Sequence, residues 1–120
     1  MKKTIIMKKR YEFKKLFSKG KFFYAKFINM YIIKNNHYYN KLAVAVSKKQ
    51  GKAVVRNRFK RLIKENYREI EERITLGYDI LFIINKNMIL KTKSITYYDI
   101  KNDMIRLFKI SGIMNEKYYN

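Results

Sequence analysis

The segment from residue 41 to 85 constrains the fold of this chain more than any other feature. Residues 41 to 47, KLAVAVS, have the composition of a strand, and residues 78 to 85, YDILFIIN, form a continuous apolar run typical of a strand covered on both faces. Between them, apolar residues recur at helical intervals from about residue 53 to 74, which predicts an amphipathic helix. Its apolar positions are Val55, Phe59, Leu62, Ile63, Tyr67, Ile70 and Ile74. A strand, helix, strand unit predicts two parallel strands, and the general rule makes their crossover right-handed.

A shorter helix is predicted near the start of the chain. Residues 10 to 19, RYEFKKLFSK, place Phe13, Leu16 and Phe17 on one helical face. Gly20 follows immediately and is a typical stop signal. This helix therefore has one apolar side and one basic side.

Further elements complete a mixed pattern. Residues 26 to 34, KFINMYIIK, have the composition of a strand, and a strand over residues 22 to 24 is also compatible with the sequence. The last helix is predicted to begin near Thr96, because Thr96 and Asp99 have the spacing of a capping box.

These elements predict one domain of the α+β class. No repeat or flexible linker divides the chain, so we expect a single domain over residues 1–120, with a compact part from about residue 8 to 112. The predicted architecture is a small two-layer α/β sandwich, in the order helix, three strands, helix, strand, helix.

The charge balance narrows the function. The 120 residues include 29 Lys and Arg against nine Asp and Glu, a net charge of +20. Such self-repulsion weakens a compact state unless a polyanion neutralises it, and nucleic acid is the leading candidate. A membrane-surface protein is the weaker alternative, because the charge is spread along the whole chain. Disulfides and zinc fingers are excluded because cysteine is absent, and the apolar run from Ile5 to Met7 is too short for a signal peptide or a membrane span.

The positive charge is densest at the start of the central helix. The stretch from Ser47 to Lys64 carries eight Lys or Arg and no acid. At 100° per residue, one outward side of the helix contains Asn57, Lys60, Arg61, Lys64 and Arg68. Before the helix, Lys48, Lys49 and Lys52 surround Gly51 at a turn where free amides also attract anions, and Arg56, Arg58 and Arg61 can grip phosphate oxygens. The alternative is a solvated charged face held by the pairs Arg61–Glu65, Arg68–Glu72 and Glu69–Arg73.

Aromatic residues form a second candidate group. Phe13, Phe17 and Tyr31, with Phe23, Tyr24 and Phe27 nearby, are interleaved with lysines and could stack on unpaired bases. From the residues alone, core packing is the favoured interpretation, because a small domain needs large rings inside.

Groups suited to catalysis are scarce. His37 is the single histidine and lies in a polar stretch, and the acids are dispersed apart from Glu69, Glu71 and Glu72, which are explained as helix charge partners. The chain is therefore not expected to be an enzyme on its own.

The stretch SKKQGKAVVRNRFKRLIKENYRE, residues 47 to 69, closely resembles the protein component of bacterial ribonuclease P. The matching residues are Ser47, Lys48, Lys49, Gly51, Ala53, Val54, Arg56, Asn57, Arg58, Lys60, Arg61, Arg68 and Glu69. The likeness extends to FKKLFSKG at residues 13 to 20 and to DILFIINKN at residues 79 to 87. It covers roughly residues 7 to 110.

The resemblance implies a fold, and it implies that a partner RNA carries out catalysis. Family members have a central four-stranded mixed sheet with helices against it and a left-handed crossover, so the left-handed sense replaces the general rule here. The implied reaction is endonucleolytic removal of the 5′ leader from precursor tRNA in the cytoplasm. Catalysis is assigned to a partner, the ribonuclease P RNA, with magnesium ions held mainly by that RNA and no organic cofactor.

The resemblance also implies roles for individual residues. Catalytic and metal-binding residues are not expected in the protein, nor is an obligate protein partner. The residues implied to bind the catalytic RNA are Lys48, Lys49, Lys52, Arg56, Asn57, Arg58, Lys60, Arg61, Lys64 and Arg68. Phe13, Phe17 and Tyr31 are implied to line a cleft for the single-stranded leader. The alternative is a general or ribosome-associated RNA-binding protein without a role in cleavage.

Overall fold

Five strands and three main helices make up the fold. The computed structural model describes residues 3–47, 51–85 and 94–115. The elements in chain order are β1 (Thr4–Ile6), α1 (Arg10–Lys19), β2 (Lys21–Tyr24), β3 (Ile28–Lys34), β4 (Asn40–Ala45), α2 (Ala53–Ile70), a short 3-10 helix (Glu71–Arg73), β5 (Tyr78–Ile84) and α3 (Tyr97–Ser111). The α+β class and each helix and strand of the predicted order are confirmed.

The strands form one mixed sheet in the order β1-β4-β5-β3-β2. β4 pairs in parallel with both β1 and β5, whereas β3 pairs antiparallel with β5 and β2. The predicted parallel pairing of the two strands that flank α2 is confirmed. The left-handed sense of their crossover stays a prediction.

The predicted count of four strands is wrong by one, because β1 adds a fifth strand. Its Thr4 is buried, and the Thr4 hydroxyl lies 2.8 Å from the Tyr67 hydroxyl on α2. The Asn40 amide donates to the Lys3 carbonyl at 2.9 Å, and the Met7 amide donates to the Leu42 carbonyl at 2.8 Å. Ordered structure therefore begins before residue 8.

The C-terminal boundary also extends further than expected. Ile113 and Met114 are buried, and Met114 forms a β-bridge with Ile74 after α2. The carbonyl of Ile113 accepts a hydrogen bond from the Thr75 amide at 2.7 Å. The compact part thus includes residues on both sides of the predicted range of 8 to 112.

Helices cover both faces of the sheet, one more layer than the predicted two. On the face toward α2 and α3, Leu42, Phe59, Ile63, Phe82 and Phe108 belong to the larger apolar core. The opposite face has a smaller core of Met7, Leu16, Ala43 and Leu81, in which α1 supplies Leu16. We call this second side the α1 face. The ten-residue α1 is the one helix that the described part of the chain places there.

Two contacts fix the position of α1 on its face. Glu12 and Lys41 form an ion pair at 2.9 Å that is largely shielded from solvent, and its hydrogen bond raises the pKa of Lys41. At the other end of α1, a Cβ on Gly20 would lie 2.5 Å from the Leu16 carbonyl oxygen and 3.2 Å from the Ile32 carbonyl oxygen. Because Lys41 and Ile32 both lie at one end of the sheet, α1 crosses that end.

Local sequence explains how α3 begins and ends. The Thr96 hydroxyl accepts from the Asp99 amide at 3.2 Å, and the Asp99 carboxylate accepts from the Thr96 amide at 2.8 Å, so the predicted capping box is confirmed. Gly112 ends the helix with a φ of 80°, a left-handed conformation that glycine adopts without strain. Asp103, further along α3, accepts from the backbone amides of Phe27 and Ile28 and ties the helix to β3.

Candidate nucleic-acid interface

The outer side of α2 is a cationic surface. Asn57, Arg61 and Arg68 are exposed, and Lys60 and Lys64 are half-buried. The opposite side of the helix enters the core through Phe59, Leu62, Ile63, Tyr67 and Ile70. Burial of this apolar stripe fixes the rotation of α2, so the positive side chains face away from the core together. We call these five outward residues, with Lys52 and Arg56, the basic surface.

The start of α2 adds backbone donors to this surface. Gly51 adopts a φ of 136°, a conformation that side-chain-bearing residues rarely adopt, and the exposed Lys52 side chain makes no capping hydrogen bond. The Arg56 guanidinium donates to the Gly51 carbonyl at 3.2 Å, which closes the turn. Uncapped amides at a helix N-terminus carry partial positive charge, so the turn and the helix attract anions at the same place. Lys48 and Lys49 lie outside the described residues.

Arg58 has a structural contact that the helical pattern did not predict. It is half-buried, and its guanidinium donates to the Ile95 carbonyl at 2.9 Å, in the segment that leads into α3. A hydrogen bond from a charged group is stronger than a neutral one, so Arg58 helps to hold the start of α3 against α2. Its contribution to the cationic surface is correspondingly smaller than that of the exposed Arg61.

Among the residues that the structure describes, ion pairing leaves most of the basic surface available. Arg61 lies 3.8 Å from Glu65, and both side chains are largely exposed, so this predicted pair is weak. Glu69 lies 3.9 Å from Lys101 on α3, a partner that the spacing along α2 did not indicate. These carboxylates occupy the second half of the helix, away from its cationic beginning.

Aromatic rings form an open cluster on the α1 face. The Tyr31 ring is 5.0 Å from the Phe17 ring in an edge-on arrangement and 4.9 Å from the Phe22 ring in a tilted one. Phe17 is 48% exposed, Phe22 is 47% exposed, and Tyr24 on the same strand is 72% exposed. Phe17, Phe22 and Tyr24 therefore offer accessible ring surface for stacking on unpaired bases, while the partly buried Tyr31 packs against the smaller core.

Strand register shows what lies beside these rings. One row across the α1 face is Ala43–Leu81–Tyr31–Phe22, and the next row is Ala45–Ile83–Asn29–Tyr24. α1 crosses the other end of the sheet, near Lys41. The row that contains Asn29 is therefore the one furthest from the helix, and it forms a floor that is exposed at Tyr24 and buried at Asn29. We call the Phe17, Phe22, Tyr24 and Tyr31 rings with this floor the aromatic cleft.

A groove of about 300 Å³ connects the basic surface with α1. Phe13 of α1 contributes one wall, and Lys60 and Lys64 of α2 contribute another. The remaining lining residues are Ile6, Met7, Lys8, Leu42, Ala43 and Val44. A predicted RNA-binding helix and a predicted leader-binding aromatic residue therefore line the same groove.

Comparison with known proteins decides the family. The family model described as Ribonuclease P matches residues 1–111. This chain belongs to the ribonuclease P protein family. Over 108 residues it is 43% identical to the ribonuclease P protein component of Clostridioides difficile (strain 630), with 89% of this chain and 91% of that protein covered. It is 41% identical over 116 residues to that of Clostridium botulinum (strain Langeland / NCTC 10281 / Type F), covering 96% and 100%.

Solved ribonuclease P proteins share the fold. The Thermotoga maritima protein superposes with a TM-score of 0.79 at 27% identity, covering 87% of this chain and 94% of that one. The Staphylococcus aureus protein gives a TM-score of 0.73 at 30% identity, covering 92% and 97%. The predicted family and fold class are confirmed by these matches.

Membership of the ribonuclease P family confirms the class of activity expected from the resemblance. Ribonuclease P is an endoribonuclease, the family functions with the ribonuclease P RNA, and the RNA subunit carries the catalysis. Within residues 3–47, 51–85 and 94–115, no helix is long and apolar enough to cross a membrane.

The structure groups the predicted ribonuclease P site residues in two places. Apart from the undescribed Lys48 and Lys49 and the half-buried Arg58, the predicted RNA-binding residues lie on the basic surface. Phe17 and Tyr31 lie in the aromatic cleft, and Phe13 lines the adjoining groove. Phe23 and Phe27 instead pack against the larger core, where core packing is the correct interpretation. The roles of the predicted site residues in binding RNA stay predictions.

The sequence does not indicate two residues of the cleft, Phe22 and Asn29. It includes Tyr24 in the aromatic group without separating it from its neighbour Phe23. Strand alternation is the signal that separates them, because Phe22 and Tyr24 share the face of Tyr31 whereas Phe23 faces the larger core. Applying this rule required the register between β2 and β3, which the sequence does not specify.

Proposed function

We propose that this protein is the subunit of ribonuclease P that binds both the catalytic RNA and the 5′ leader of precursor tRNA. The observation that carries the proposal is the groove in which Phe13 of α1 and Lys60 and Lys64 of α2 meet. A cationic surface suited to folded RNA and a ring cluster suited to single-stranded RNA thus adjoin one another. The leader is then held where it continues from a tRNA bound to the catalytic RNA.

The basic surface supplies the contact with the catalytic RNA. Arg56 and Arg61 offer forked donors to phosphate oxygens, and Lys52, Lys60 and Lys64 act as mobile charges. The family resemblance adds Lys48 and Lys49 at the preceding turn, together with Asn57, Arg58 and Arg68. These contacts release counterions from the RNA, which makes the affinity strongly dependent on salt. They also reduce repulsion between two large polyanions.

The aromatic cleft supplies the contact with the leader. Tyr31 lies between Phe17 and Phe22, and the exposed parts of these rings offer surfaces to unpaired bases. Stacking tolerates any base, because every base has a π face, so the cleft can hold leaders of varied sequence. The expected consequence is tighter binding of precursor tRNA than of mature tRNA, which lacks the leader.

The chemistry is assigned to the RNA subunit. The described part of the protein, residues 3–47, 51–85 and 94–115, has no group of three His, Cys, Asp or Glu placed to hold a metal ion. Magnesium ions held by RNA supply the activated water and the charge stabilisation for phosphodiester hydrolysis. The protein contributes binding and orientation in the cytoplasm, without an obligate protein partner.

Reconstitution tests this function. The purified protein is combined with ribonuclease P RNA and precursor tRNA at a magnesium concentration too low for the RNA alone. We expect cleavage at the leader junction with protein and RNA together, and none with protein alone. A general RNA-binding protein would bind the RNA without restoring cleavage, and cutting by the RNA-free protein would contradict the assignment of catalysis.

A further inference from the structure

The loop between β3 and β4, residues 35–39, is held in shape by the side chain of Asn35. Its Nδ2 donates to the Tyr39 carbonyl at 3.2 Å and to Oδ1 of Asp79, on β5, at 2.9 Å. Its Oδ1 accepts a hydrogen bond from the His37 amide at 2.8 Å. The two ends of the loop are therefore tied to each other and to the neighbouring strand, which restrains the backbone before any partner binds.

The segment that follows α2 packs closely against this loop. Gly77 adopts a φ of 100°, and a Cβ at this position would lie 3.2 Å from the His37 carbonyl oxygen. The Asn35 amide donates to the Gly77 carbonyl at 2.9 Å. Asn36, inside the loop, has a φ of 61°, a left-handed conformation that asparagine tolerates better than most residues. The loop is therefore a fixed part of the surface beyond the end of α2.

Three consecutive residues of the loop carry rings, His37, Tyr38 and Tyr39. The His37 and Tyr39 rings stack face to face, with centroids 4.9 Å apart and planes 5° apart. Tyr38 is 93% exposed, the highest value among the large apolar and aromatic side chains in the described part of the chain. Single exposed rings are common on proteins, but this one stands on a restrained backbone. A ring presented in this way loses little conformational freedom on binding, which suits it to anchor a partner.

The loop adjoins the C-terminal end of the basic surface. Asn40 directly follows the loop, and its Nδ2 donates to the Tyr67 hydroxyl on α2 at 3.3 Å, while its amide donates to the Lys3 carbonyl at 2.9 Å. Glu71, directly after α2, accepts from the Lys3 amide at 3.3 Å. Arg68, the last residue of the basic surface, is the next residue after Tyr67. An RNA that extends along the outer side of α2 past Arg68 therefore reaches the loop.

Charged groups near the loop contribute little net attraction of their own. Glu12, Glu71 and Asp79 are buried, and each accepts a hydrogen bond inside the protein. Lys3 and Glu72 are exposed and carry opposite charges. A contact made at this place should therefore depend on stacking by a neutral ring and not on ion pairing.

We propose that residues 35–39 form a second contact with the ribonuclease P RNA, in which Tyr38 stacks on one unpaired base beyond the C-terminal end of α2; this inference rests on the proposed function. RNA is the partner because the loop continues the cationic side of α2 and the chain carries a net charge of +20. Stacking on a tyrosine ring is a common way for proteins to hold an unpaired base.

This contact is separate from the aromatic cleft. The floor of the cleft contains Tyr24 paired with Asn29, whereas the loop begins at Asn35, after the other end of β3. Six residues of extended strand span about 20 Å. A ring at position 38 can therefore bind the catalytic RNA while the leader occupies the cleft.

Equilibrium binding of the free protein to ribonuclease P RNA, without precursor tRNA, tests the proposal. Tyr38→Ala should raise the dissociation constant roughly 5- to 150-fold, the effect of losing one stacked base. The slope of log affinity against log salt should stay the same, because no charge is removed. Tyr38→Phe keeps the ring and should bind within about twofold of the wild type.

Tyr98→Ala is the matched control, since it removes another tyrosine that is 69% exposed, on α3, and should leave the dissociation constant unchanged. The Tyr38 side chain is almost completely in solvent, so Tyr38→Ala should melt at the wild-type temperature. Chemical probing of the bound RNA should show one unpaired base that the wild type and Tyr38→Phe protect and that Tyr38→Ala leaves reactive.

Three outcomes would overturn the proposal. They are wild-type affinity of Tyr38→Ala for ribonuclease P RNA, an equal loss in Tyr38→Phe, and a loss confined to precursor tRNA binding by the holoenzyme, which would place the ring on the substrate. The proposed function fails separately, if the wild-type protein does not restore cleavage in the reconstitution. Normal cleavage with an unaffected Tyr38→Ala variant would reject the loop contact alone.

Discussion

Neighbouring side chains differ in role: some stabilise the fold, and others are exposed and available to bind RNA. Arg58 and Arg61 are three residues apart on one helix, yet Arg58 donates to the Ile95 carbonyl whereas Arg61 is exposed with a weak partner. Phe17 and Leu16 are adjacent, yet Leu16 is fully buried and Phe17 is 48% exposed. The chemistry of a residue type therefore predicts its role less well than the direction in which the backbone places it.

Phe17 provides a direct test of the aromatic cleft. Replacing it with Ala removes one stacking surface, worth roughly 1 to 3 kcal/mol per base, so the dissociation constant for precursor tRNA should rise roughly 5- to 150-fold. Binding of mature tRNA to the same holoenzyme should change little, because it has no leader. Equilibrium binding of both RNAs measures the difference, and equal losses would place Phe17 outside the leader path.

At the scale of elements, α2 serves as both a core helix and an RNA-binding helix. Phe59, Ile63 and Tyr67 are almost completely buried against the sheet and α3, and this burial orients the opposite, cationic side. Neutral residues at the exposed positions Arg61 and Arg68 would leave the packing of the helix unchanged. The charge can therefore be altered without loss of the fold, provided that Arg58 is left in place.

The salt dependence of RNA binding tests the outer side of α2. Replacing Lys60, Arg61 and Arg68 with Ala removes three charges, so the slope of log affinity against log salt should become less steep by about two to three. A control with the same change in net charge replaces Lys21, Lys34 and Arg106, which are exposed and lie outside α2. Filter binding to ribonuclease P RNA over a salt series compares them, and equal slopes in the two variants would argue against α2 as the docking element.

Elements with a strong local pattern were predictable from sequence, and those defined by distant partners were not. The apolar stripe of α2 and the capping box of α3 are each encoded within one continuous segment of sequence, and both are observed. β1 has three residues, Thr4–Ile6, and it exists because β4 and Tyr67 pair with it from 36 or more positions away. The aromatic cleft was predicted in part, since Phe17 and Tyr31 are recognisable but the register that adds Phe22 and Asn29 depends on the assembled sheet.

At the scale of the whole molecule, repulsion between the excess positive charges destabilises the compact fold. A net charge of +20 is confined to a fold with a radius of gyration of 13.6 Å, which is comparable to the screening length of about 10 Å at 0.1 M salt. Repulsion between the cations therefore acts across much of the protein at low salt. A bound polyanion relieves this repulsion, as do dissolved ions to a smaller extent.

The melting temperature of the free protein should consequently rise with salt. Between about 20 mM and about 300 mM sodium chloride, screening weakens the repulsion between surface charges. Each 1 kcal/mol recovered should raise the melting temperature by roughly 4 °C for a domain of this size. Circular dichroism melts measure the shift, and a flat or falling profile would show that self-repulsion does not limit stability.

The central position of β5 affects how the polypeptide can fold as it leaves the ribosome. β3 and β4 do not pair with each other, and both pair with β5, which follows them in the chain. Before residue 84 emerges, the nascent chain can form the β2–β3 hairpin and local helices but cannot join the two halves of its sheet. The core can therefore close only after β5 has emerged, and a message truncated upstream of β5 would yield a polypeptide that cannot complete its sheet and is exposed to proteolysis.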